Sequence, residues 1–252
     1  MTTMTIKTEQ RILIALDAHE TTEESLNILA IMASQLHAPL AGLFVEDSRL
    51  FNIAELPFTT EIKRKTAQEQ NFHSDTLSEL NKSVSTKIQR LLEELSARHK
   101  IPYSFRTEPG ELISKALTQE GVDVFFPARK RDIPQPRVFY QKKTDLLKFT
   151  LIYDASPQFE RALEMIRTLA KAGLLTEITL LCDTDIPESL AHKLAGTDIK
   201  IKILSVSSIT GALRDTLHMP ASTLLLMPKQ RITYDELTRL FTELATPLLL
   251  LN

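Results

Sequence analysis

The sequence repeats one pattern in its two halves: a short apolar run that ends in aspartate, followed by an amphipathic helix. The first run, Arg-Ile-Leu-Ile-Ala-Leu, ends at Asp17, and the second, Leu-Lys-Phe-Thr-Leu-Ile-Tyr, ends at Asp154. Leu26 and Leu163 are separated by the same number of residues as Asp17 and Asp154. Both leucines lie on the apolar faces of the helices that follow. Continuous apolar runs of this length are typical of strands that are buried on both faces of a parallel sheet. The repeat therefore predicts two related α/β domains in one chain.

Strands and amphipathic helices alternate through both halves. Besides the two leading runs, strands are predicted at 40–45, 103–107 and 122–126, and again at 177–182, 199–206, 223–227 and 248–251. Helices are predicted at 23–36, 72–100 and 111–119, and near 188–194, 210–217 and 234–244. This alternation is typical of a doubly wound α/β sheet.

The boundary between the halves falls in a charged, proline-rich stretch. Residues 129–145 lack a helical or strand pattern, apart from a short edge strand predicted at 138–140. We therefore divide the chain into a first domain at 1–145 and a shortened second domain at 146–252. The predicted fold class is α/β, with two tandem doubly wound, Rossmann-like parallel-sheet domains.

Composition limits the kind of partner. The 252 residues include 30 Lys and Arg against 32 Asp and Glu, so no overall basic field attracts nucleic acid or anionic lipid. The single cysteine, Cys182, excludes an internal disulfide and fits a reducing compartment. No secretory signal is visible at 1–10, and no stretch reaches about 18 consecutive apolar residues. We expect a cytoplasmic protein that binds neither nucleic acid nor membrane.

Four short pieces of the first half follow one another in a characteristic order. They are Ala-Leu-Asp17, Leu-Phe-Val45-Glu-Asp, Glu108-Pro-Gly-Glu-Leu-Ile-Ser-Lys-Ala116 and Gly121-Val-Asp-Val-Phe-Phe126. Together they resemble the universal stress protein family. The resemblance covers nearly the whole chain as two copies, closely up to Arg131 and more loosely from Leu147, and it implies an adenine nucleotide alpha hydrolase-like fold in each half.

The resemblance also implies a ligand site. Nucleotide-binding members of the family hold an adenine nucleotide with the aspartate that ends strand one, a valine that ends strand two, and a glycine-rich loop after strand four. Asp17 and Val45 correspond to the first two positions in this sequence, and Asp154 corresponds to the aspartate in the second half.

The glycine-rich loop is where this sequence departs from the family. The positions of its first two glycines hold Ala128 and Arg131 in the first half, and Pro228 and Arg231 in the second. Such loops bring backbone N–H groups against phosphate in conformations that side chains block, and proline has no N–H to donate. Neither loop is expected to form in the usual way, so no cofactor is expected.

A cluster of cations leaves one alternative open. Arg129, Lys130 and Arg131 would replace the lost backbone donors with charge, and would hold the phosphates of ATP or another adenine nucleotide beside Ala128. The ordinary interpretation of the cluster is a solvated linker. The ordinary interpretation of Asp17 and Asp154 is likewise a loop or helix-capping carboxylate.

No catalytic residue and no metal site is predicted. The six histidines show no i, i+4 pair and have no cysteine partner, and no nucleophile elbow, Walker loop or dinucleotide fingerprint occurs. Cys182 ends an apolar strand, which favours a buried hydrophobe over the alternative of a redox thiol.

Three features bear on partners. The apolar residues Phe51, Ile53, Leu56 and Phe58 precede the long helix, and we favour a role in covering the sheet over covering a cleft or docking a partner. A scaffold that uses the long helix is a further hypothesis, which Leu→Asp changes at Leu91 and Leu95 would test. The terminal strand at 248–251 would be a sticky edge if it were unpaired, and the resemblance implies that it pairs between the halves as an intramolecular pseudo-dimer, with a homodimer as an alternative.

The sequence thus supports two functions of different classes. The preferred one is a noncatalytic stress-response or regulatory binding protein whose nucleotide sites are degenerate. The alternative is an ATP-binding, weakly ATP-hydrolysing protein that uses Arg129–Arg131 for phosphate. An unknown protein partner is compatible with either.

Overall fold

The first half of the chain alternates strands and helices as predicted, with one additional short helix and one inserted hairpin that were not predicted. The computed structural model describes residues 11–19, 21–63, 67–128, 147–183, 199–207, 211, 223–243 and 246–252. In the first half these form β1 (Ile12–Leu16), α1 (Glu23–Leu36), β2 (Leu40–Asp47), α2 (Ser48–Ala54), β3 (Thr60–Lys63), β4 (Gln68–Asn71), α3 (Ser74–His99), β5 (Tyr103–Gly110), α4 (Leu112–Leu117) and β6 (Asp123–Phe126).

The second half repeats the alternation over fewer described elements. They are β7 (Leu147–Ile152), α5 (Pro157–Lys171), β8 (Leu175–Cys182), β9 (Lys200–Ser205), β10 (Thr223–Pro228), a 3-10 turn (Lys229–Arg231), α6 (Tyr234–Glu243) and β11 (Leu248–Leu251). Four predictions lie outside the described residues: the helix near 188–194, the helix near 210–217 except for Gly211, the linker at 129–145 with its edge strand, and the domain boundary at 145/146.

The described strands form one nine-stranded sheet in the order β5-β2-β1-β6-β11-β10-β7-β8-β9, beside the separate hairpin β3-β4. Strands within each half are parallel, and the first strand of each half lies between its second and its fourth, as in a doubly wound sheet. The predicted α/β fold class is confirmed.

The two half-sheets join through an antiparallel pair. β11 pairs with β6, with Leu248 opposite Phe126 and Leu250 opposite Val124. The terminal strand therefore pairs with the fourth strand of the other half. All four of these side chains are almost completely buried, so the junction lies in the centre of the core.

Helices cover both faces of the sheet. One core cluster lies under α1, α3 and α5, and the other lies under α4 and α6. On the second face, the rings of Phe126 from β6 and Phe241 from α6 meet edge to face, with centroids 5.2 Å apart. The two halves thus share side-chain packing as well as strand pairing.

A buried ion pair also connects the halves. The side chain of Asp123, at the start of β6, is fully buried and pairs with the Nη2 group of Arg161 from α5. The Nη1 group of Arg161 donates to the main-chain oxygen of Asn252 at 2.7 Å, and the Asn252 N–H donates to Asp123 at 3.0 Å. A buried carboxylate without a cation is costly, so this network fixes how α5 and β11 lie against β6.

The apolar residues before α3 do not cover the sheet, so that favoured prediction is wrong. Ile53, Leu56 and Phe58 are 45%, 59% and 100% exposed, whereas Phe51 is half-buried. The reason is that the chain turns after α2 into the β3-β4 hairpin, which forms no pair with the main sheet.

The scaffold hypothesis for α3 stays a prediction, but the two residues chosen to test it face the core. Leu95 is 3% exposed, and Leu91 packs against the cluster under α1, α3 and α5. Polar substitutions at these positions would disrupt that core and would not test a docking surface.

Candidate functional site

The candidate site lies at the carboxyl ends of the parallel strands. In doubly wound sheets, ligands bind where the strand order reverses, which is between β1 and β6 in the first half and between β7 and β10 in the second. The predicted residues Asp17 and Ala128 follow β1 and β6, and Asp154 and Arg231 follow β7 and β10.

The carboxylate of Asp17 binds its own loop. One oxygen accepts the main-chain N–H of His19 at 3.0 Å, and the other lies 3.1 Å from His19 Nδ1. The side chain remains 18% exposed at the edge of the sheet. This arrangement is that of a loop carboxylate, the ordinary interpretation of the residue, and it leaves the nucleotide role of Asp17 a prediction.

Val45 and Ala128 are both buried, at or just after the carboxyl ends of β2 and β6. Val45 is 2% exposed and belongs to the core cluster that also contains Leu112 and Ile113 of α4. Ala128 is 3% exposed, and its carbonyl accepts the N–H of Thr22, the N-cap residue of α1, at 3.2 Å. Arg129 and Arg131, the remaining predicted residues of the first site, lie outside the described residues.

Asp47 adds a second carboxylate at this edge, although the sequence pattern indicated only that a strand ends there. Asp47 caps α2 and binds the guanidinium of Arg49 in a two-point contact, Nε to Oδ1 at 3.0 Å and Nη2 to Oδ2 at 2.7 Å. This hydrogen bonding holds the pKa of Asp47 below its usual value, and Asp47 in turn raises the pKa of Arg49. The spacing Asp-x-Arg at a strand end was the available signal.

The first main-chain N–H groups of α4 are already bonded to the side chain of its N-cap residue, Glu111. Glu111 accepts the N–H groups of Ile113 at 3.3 Å and Ser114 at 2.7 Å. This edge of the sheet therefore has carboxylates at the ends of β1 and β2 and at the start of α4, and Arg49 pairs with the one at the end of β2. The charges of Asp17 and Glu111 oppose a triphosphate at the same edge.

In the second half, Asp154 belongs to a helix cap. It accepts the N–H and the hydroxyl group of Ser156, the N-cap residue of α5, whose own oxygen accepts the N–H of Phe159 at 3.2 Å. This geometry agrees with the ordinary interpretation of a capping carboxylate.

Three consecutive side chains after β10 each bond to another part of the protein. Arg231, at a glycine position of the family pattern, pairs with Asp183 after β8 at 3.1 Å. Gln230 donates to Gln158 of α5 at 2.9 Å. Lys229 donates to the Gln119 carbonyl of the first half at 2.8 Å, and burial lowers the pKa of its amine. Side-chain contacts thus span the region where main-chain amides would meet phosphate.

Cys182 at the end of β8 is 1% exposed, and burial raises the pKa of its thiol. We expect the native protein to react with a thiol reagent about 100-fold more slowly than the unfolded chain, because the thiolate is both rare and covered. Labelling with a chromogenic disulfide, with and without denaturant, measures this ratio. Equal rates in the two states would restore the redox-thiol alternative.

A separate polar groove of about 680 Å³ lies between the start of α1 and the middle of α3. Its charged lining residues are the acids Glu23, Glu79 and Glu94 and the cations Lys82, Lys87 and Arg90. Because the charges balance, the groove offers no net field to an anionic ligand.

The described residues contain neither a metal-binding cluster nor a membrane-spanning helix. No group of three or more His, Cys, Asp or Glu side chains within them has a geometry that would hold a metal ion. In the same part of the chain, no helix combines the length and the apolar character needed to cross a bilayer.

A comparison with solved structures decides the fold type. The structure of a universal stress protein from Archaeoglobus fulgidus DSM 4304 aligns over 97% of this chain and 96% of its own length, with a TM-score of 0.53 and 13% sequence identity. The fold is that of a universal stress protein. A universal stress protein family structure from Burkholderia pseudomallei covers 79% of this chain at 13% identity, but its TM-score is only 0.28.

Sequence comparisons add no further relationship. No protein-family model matches the chain. No curated protein matches it either. At 13% identity, the structural likeness establishes the universal stress protein fold and leaves the activity to be inferred from the residues at the site.

Proposed function

We propose that this protein is a noncatalytic stress-response or regulatory binding protein of the universal stress protein type, with degenerate nucleotide sites. The observation that carries the proposal is the ion pair between Arg231 and Asp183, since it places a side chain at a position where the family pattern has glycine. A charged side chain that is already paired within the protein is a poor substitute for free main-chain amides.

The first half supports the same proposal on independent grounds. Asp17 binds His19, and Glu111 covers the first amides of α4. The carboxylates of Asp17 and Glu111 would repel a triphosphate placed at this edge.

The alternative is a protein that binds ATP, and weakly hydrolyses it, through Arg129–Arg131. It is favoured by Asp17 and Val45, which hold the family residues, and by the main-chain bond between Ala128 and Thr22, which keeps the loop after β6 beside the start of α1. The cluster would then provide the positive charge that the glycine loop no longer arranges.

Calorimetric titration of the purified chain with MgATP separates the two functions. The proposal predicts no saturable heat, which corresponds to a dissociation constant weaker than about 1 mM. Asp17→Ala is the test variant, and Asp154→Ala, its counterpart in the second half, is the matched control. Micromolar binding that Asp17→Ala abolishes and Asp154→Ala preserves would establish the alternative, and mass spectrometry of any copurified nucleotide gives an independent reading.

We further propose a cytoplasmic location and an intramolecular pseudo-dimer. The lone buried cysteine supports the location, because it suits a reducing compartment. The antiparallel β6-β11 pair supports the pseudo-dimer, because it joins the two halves within one chain.

A further inference from the structure

The outer edge of β9 is one end of the described nine-stranded sheet. β9 pairs with β8, and among the described strands none lies on its other side. All of its residues are exposed, including Ile201 (37%), Ile203 (53%) and Leu204 (46%). In β5, at the opposite end of the sheet, exposed residues alternate with half-buried ones over much of the strand. β9 is therefore the more accessible of the two edge strands.

The main chain of β9 directs hydrogen-bonding groups outward at every second residue. The N–H of Val206 donates to the carbonyl of Cys182 in β8 at 2.8 Å. The N–H and C=O of one strand residue point to the same side, and those of the next residue point to the other side. The groups of Ile201, Ile203 and Ser205 therefore point away from β8. Such a row on an edge strand is a template for pairing with another strand.

One face of this edge has an excess of positive charge. The register places Lys148, Glu177 and Lys200 in one row across β7, β8 and β9. The carboxylate of Glu177 lies 2.5 Å from the Nζ of Lys202 and 3.6 Å from that of Lys148. The hydrogen bond from Lys202, together with the charges of the three lysines, holds the pKa of Glu177 below its usual value. One glutamate thus serves three lysines on this face.

The other face of the edge is apolar. Ile201 and Ile203 lie opposite Ile178 and Leu180 of β8, and those two partners are completely buried in the cluster under α1, α3 and α5. The apolar surface of the sheet therefore continues onto an exposed strand. A further strand beside β9 would meet lysines on one face and isoleucines on the other, at alternate residues.

Charge selects the strand that fits this edge. Asp183 at the end of β8 is already paired with Arg231, so it does not offset the lysines. Two copies of the chain paired through β9 would bring three lysines and one glutamate from each copy together, and edge lysines commonly prevent such pairing. A strand with carboxylates at alternate positions neutralises the lysines instead. Its intervening apolar side chains cover Ile201 and Ile203.

We propose that β9 binds an extended segment of another protein in which acidic and apolar side chains alternate, so that the segment adds a strand to the sheet. The outward main-chain groups supply the affinity common to any strand, and Lys200 and Lys202 select the acidic one. A nucleic acid would neutralise the lysines but would leave the isoleucines uncovered. This inference does not depend on whether the strand ends bind nucleotide.

The probes are synthetic peptides of equal length in which valine alternates with glutamate, glutamine or lysine. Fluorescence anisotropy with the full chain measures their affinities. We expect the glutamate peptide to bind about tenfold or more tightly than the glutamine peptide and to weaken as salt is raised, whereas the lysine peptide does not bind. The glutamate peptide with every main-chain nitrogen methylated keeps its charge but has no N–H to donate, and it is expected not to bind.

Variants of β9 locate the binding surface. Ile203→Pro removes an outward N–H and is expected to weaken binding of the glutamate peptide about tenfold or more, whereas Ile203→Val keeps the N–H and changes the affinity less than about twofold. Lys200→Gln with Lys202→Gln is expected to remove most of the preference for glutamate over glutamine. Lys82→Gln with Lys87→Gln, an equal change of charge at exposed positions of α3, leaves that preference intact. Circular dichroism confirms that each variant is folded.

The proposal fails if the glutamate peptide does not bind, if it binds no more tightly than the glutamine peptide, or if its methylated form binds equally well. It also fails if Ile203→Pro and Ile203→Val bind alike, or if the two lysine double variants lose the same preference. Single-stranded DNA that binds through Lys200 and Lys202 and is unaffected by Ile203→Pro would assign the lysines to a general anion site instead. A dimer in sedimentation that Ile203→Pro dissociates would assign the edge to a second copy of the chain.

Discussion

Replacing Arg161 with methionine is expected to lower the free energy of unfolding by about 3–5 kcal/mol. Arg161 is the cation that neutralises Asp123, whose side chain is completely buried where the two half-sheets meet. Its removal leaves a buried negative charge uncompensated by that cation and also breaks the bond to the Asn252 carbonyl. Urea unfolding followed by circular dichroism measures the loss.

Two variants control this experiment. Arg231→Met removes a partly exposed ion pair with Asp183 and is expected to cost no more than about 1 kcal/mol. Combining Arg161→Met with Asp123→Asn removes the charge that Arg161 neutralised, and is expected to recover at least about 1 kcal/mol relative to Arg161→Met alone. If Arg161→Met cost no more than Arg231→Met, the buried pair would not hold the halves together.

Replacing Phe126 with alanine is expected to cost about 3–5 kcal/mol. The ring is almost completely buried in the sheet junction and meets Phe241 of α6 edge to face, so the change opens a cavity shared by both halves. We expect one cooperative unfolding transition, at lower denaturant, for the whole chain. Two separate transitions would show instead that the halves unfold independently.

Phe58→Ala is the matched control, because the same residue type is fully exposed there. Its cost is expected to stay within about 0.5 kcal/mol. Phe126→Ala combined with Phe241→Ala is expected to cost less than the sum of the single changes by about 0.5–1.5 kcal/mol, since both remove one ring contact. Full additivity would argue against that contact.

The strands and the long helix were predictable because their patterns are local. The run before Asp17 is continuously apolar, and β1 is buried along its whole length. The apolar spacing that ends near Lys100 predicted α3, whose C-cap is Lys100 itself in the left-handed conformation.

The hairpin was not predicted, because β3 (Thr-Glu-Ile-Lys) and β4 (Gln-Glu-Gln-Asn) have no apolar face that would indicate a strand.

The candidate site was only partly predictable. A strand that ends in aspartate could be recognised as a candidate from sequence, and Asp17 and Asp154 do lie at strand ends. Their hydrogen bonds to His19 and Ser156 are also local, two residues along the chain. The pairing of Arg231 with Asp183 joins residues 48 apart and follows only from the positions of two strands.

The sequence by itself determined the α/β alternation and the apolar runs that end in Asp17 and Asp154, because each depends on residue types at short spacing. Only the tertiary structure decided that β6 and β11 join the halves, that Asp123 meets Arg161, and that Ile53, Leu56 and Phe58 stay outside the core. These depend on free energies of burial and pairing between residues far apart in the chain, and no local pattern specifies which distant surfaces will meet.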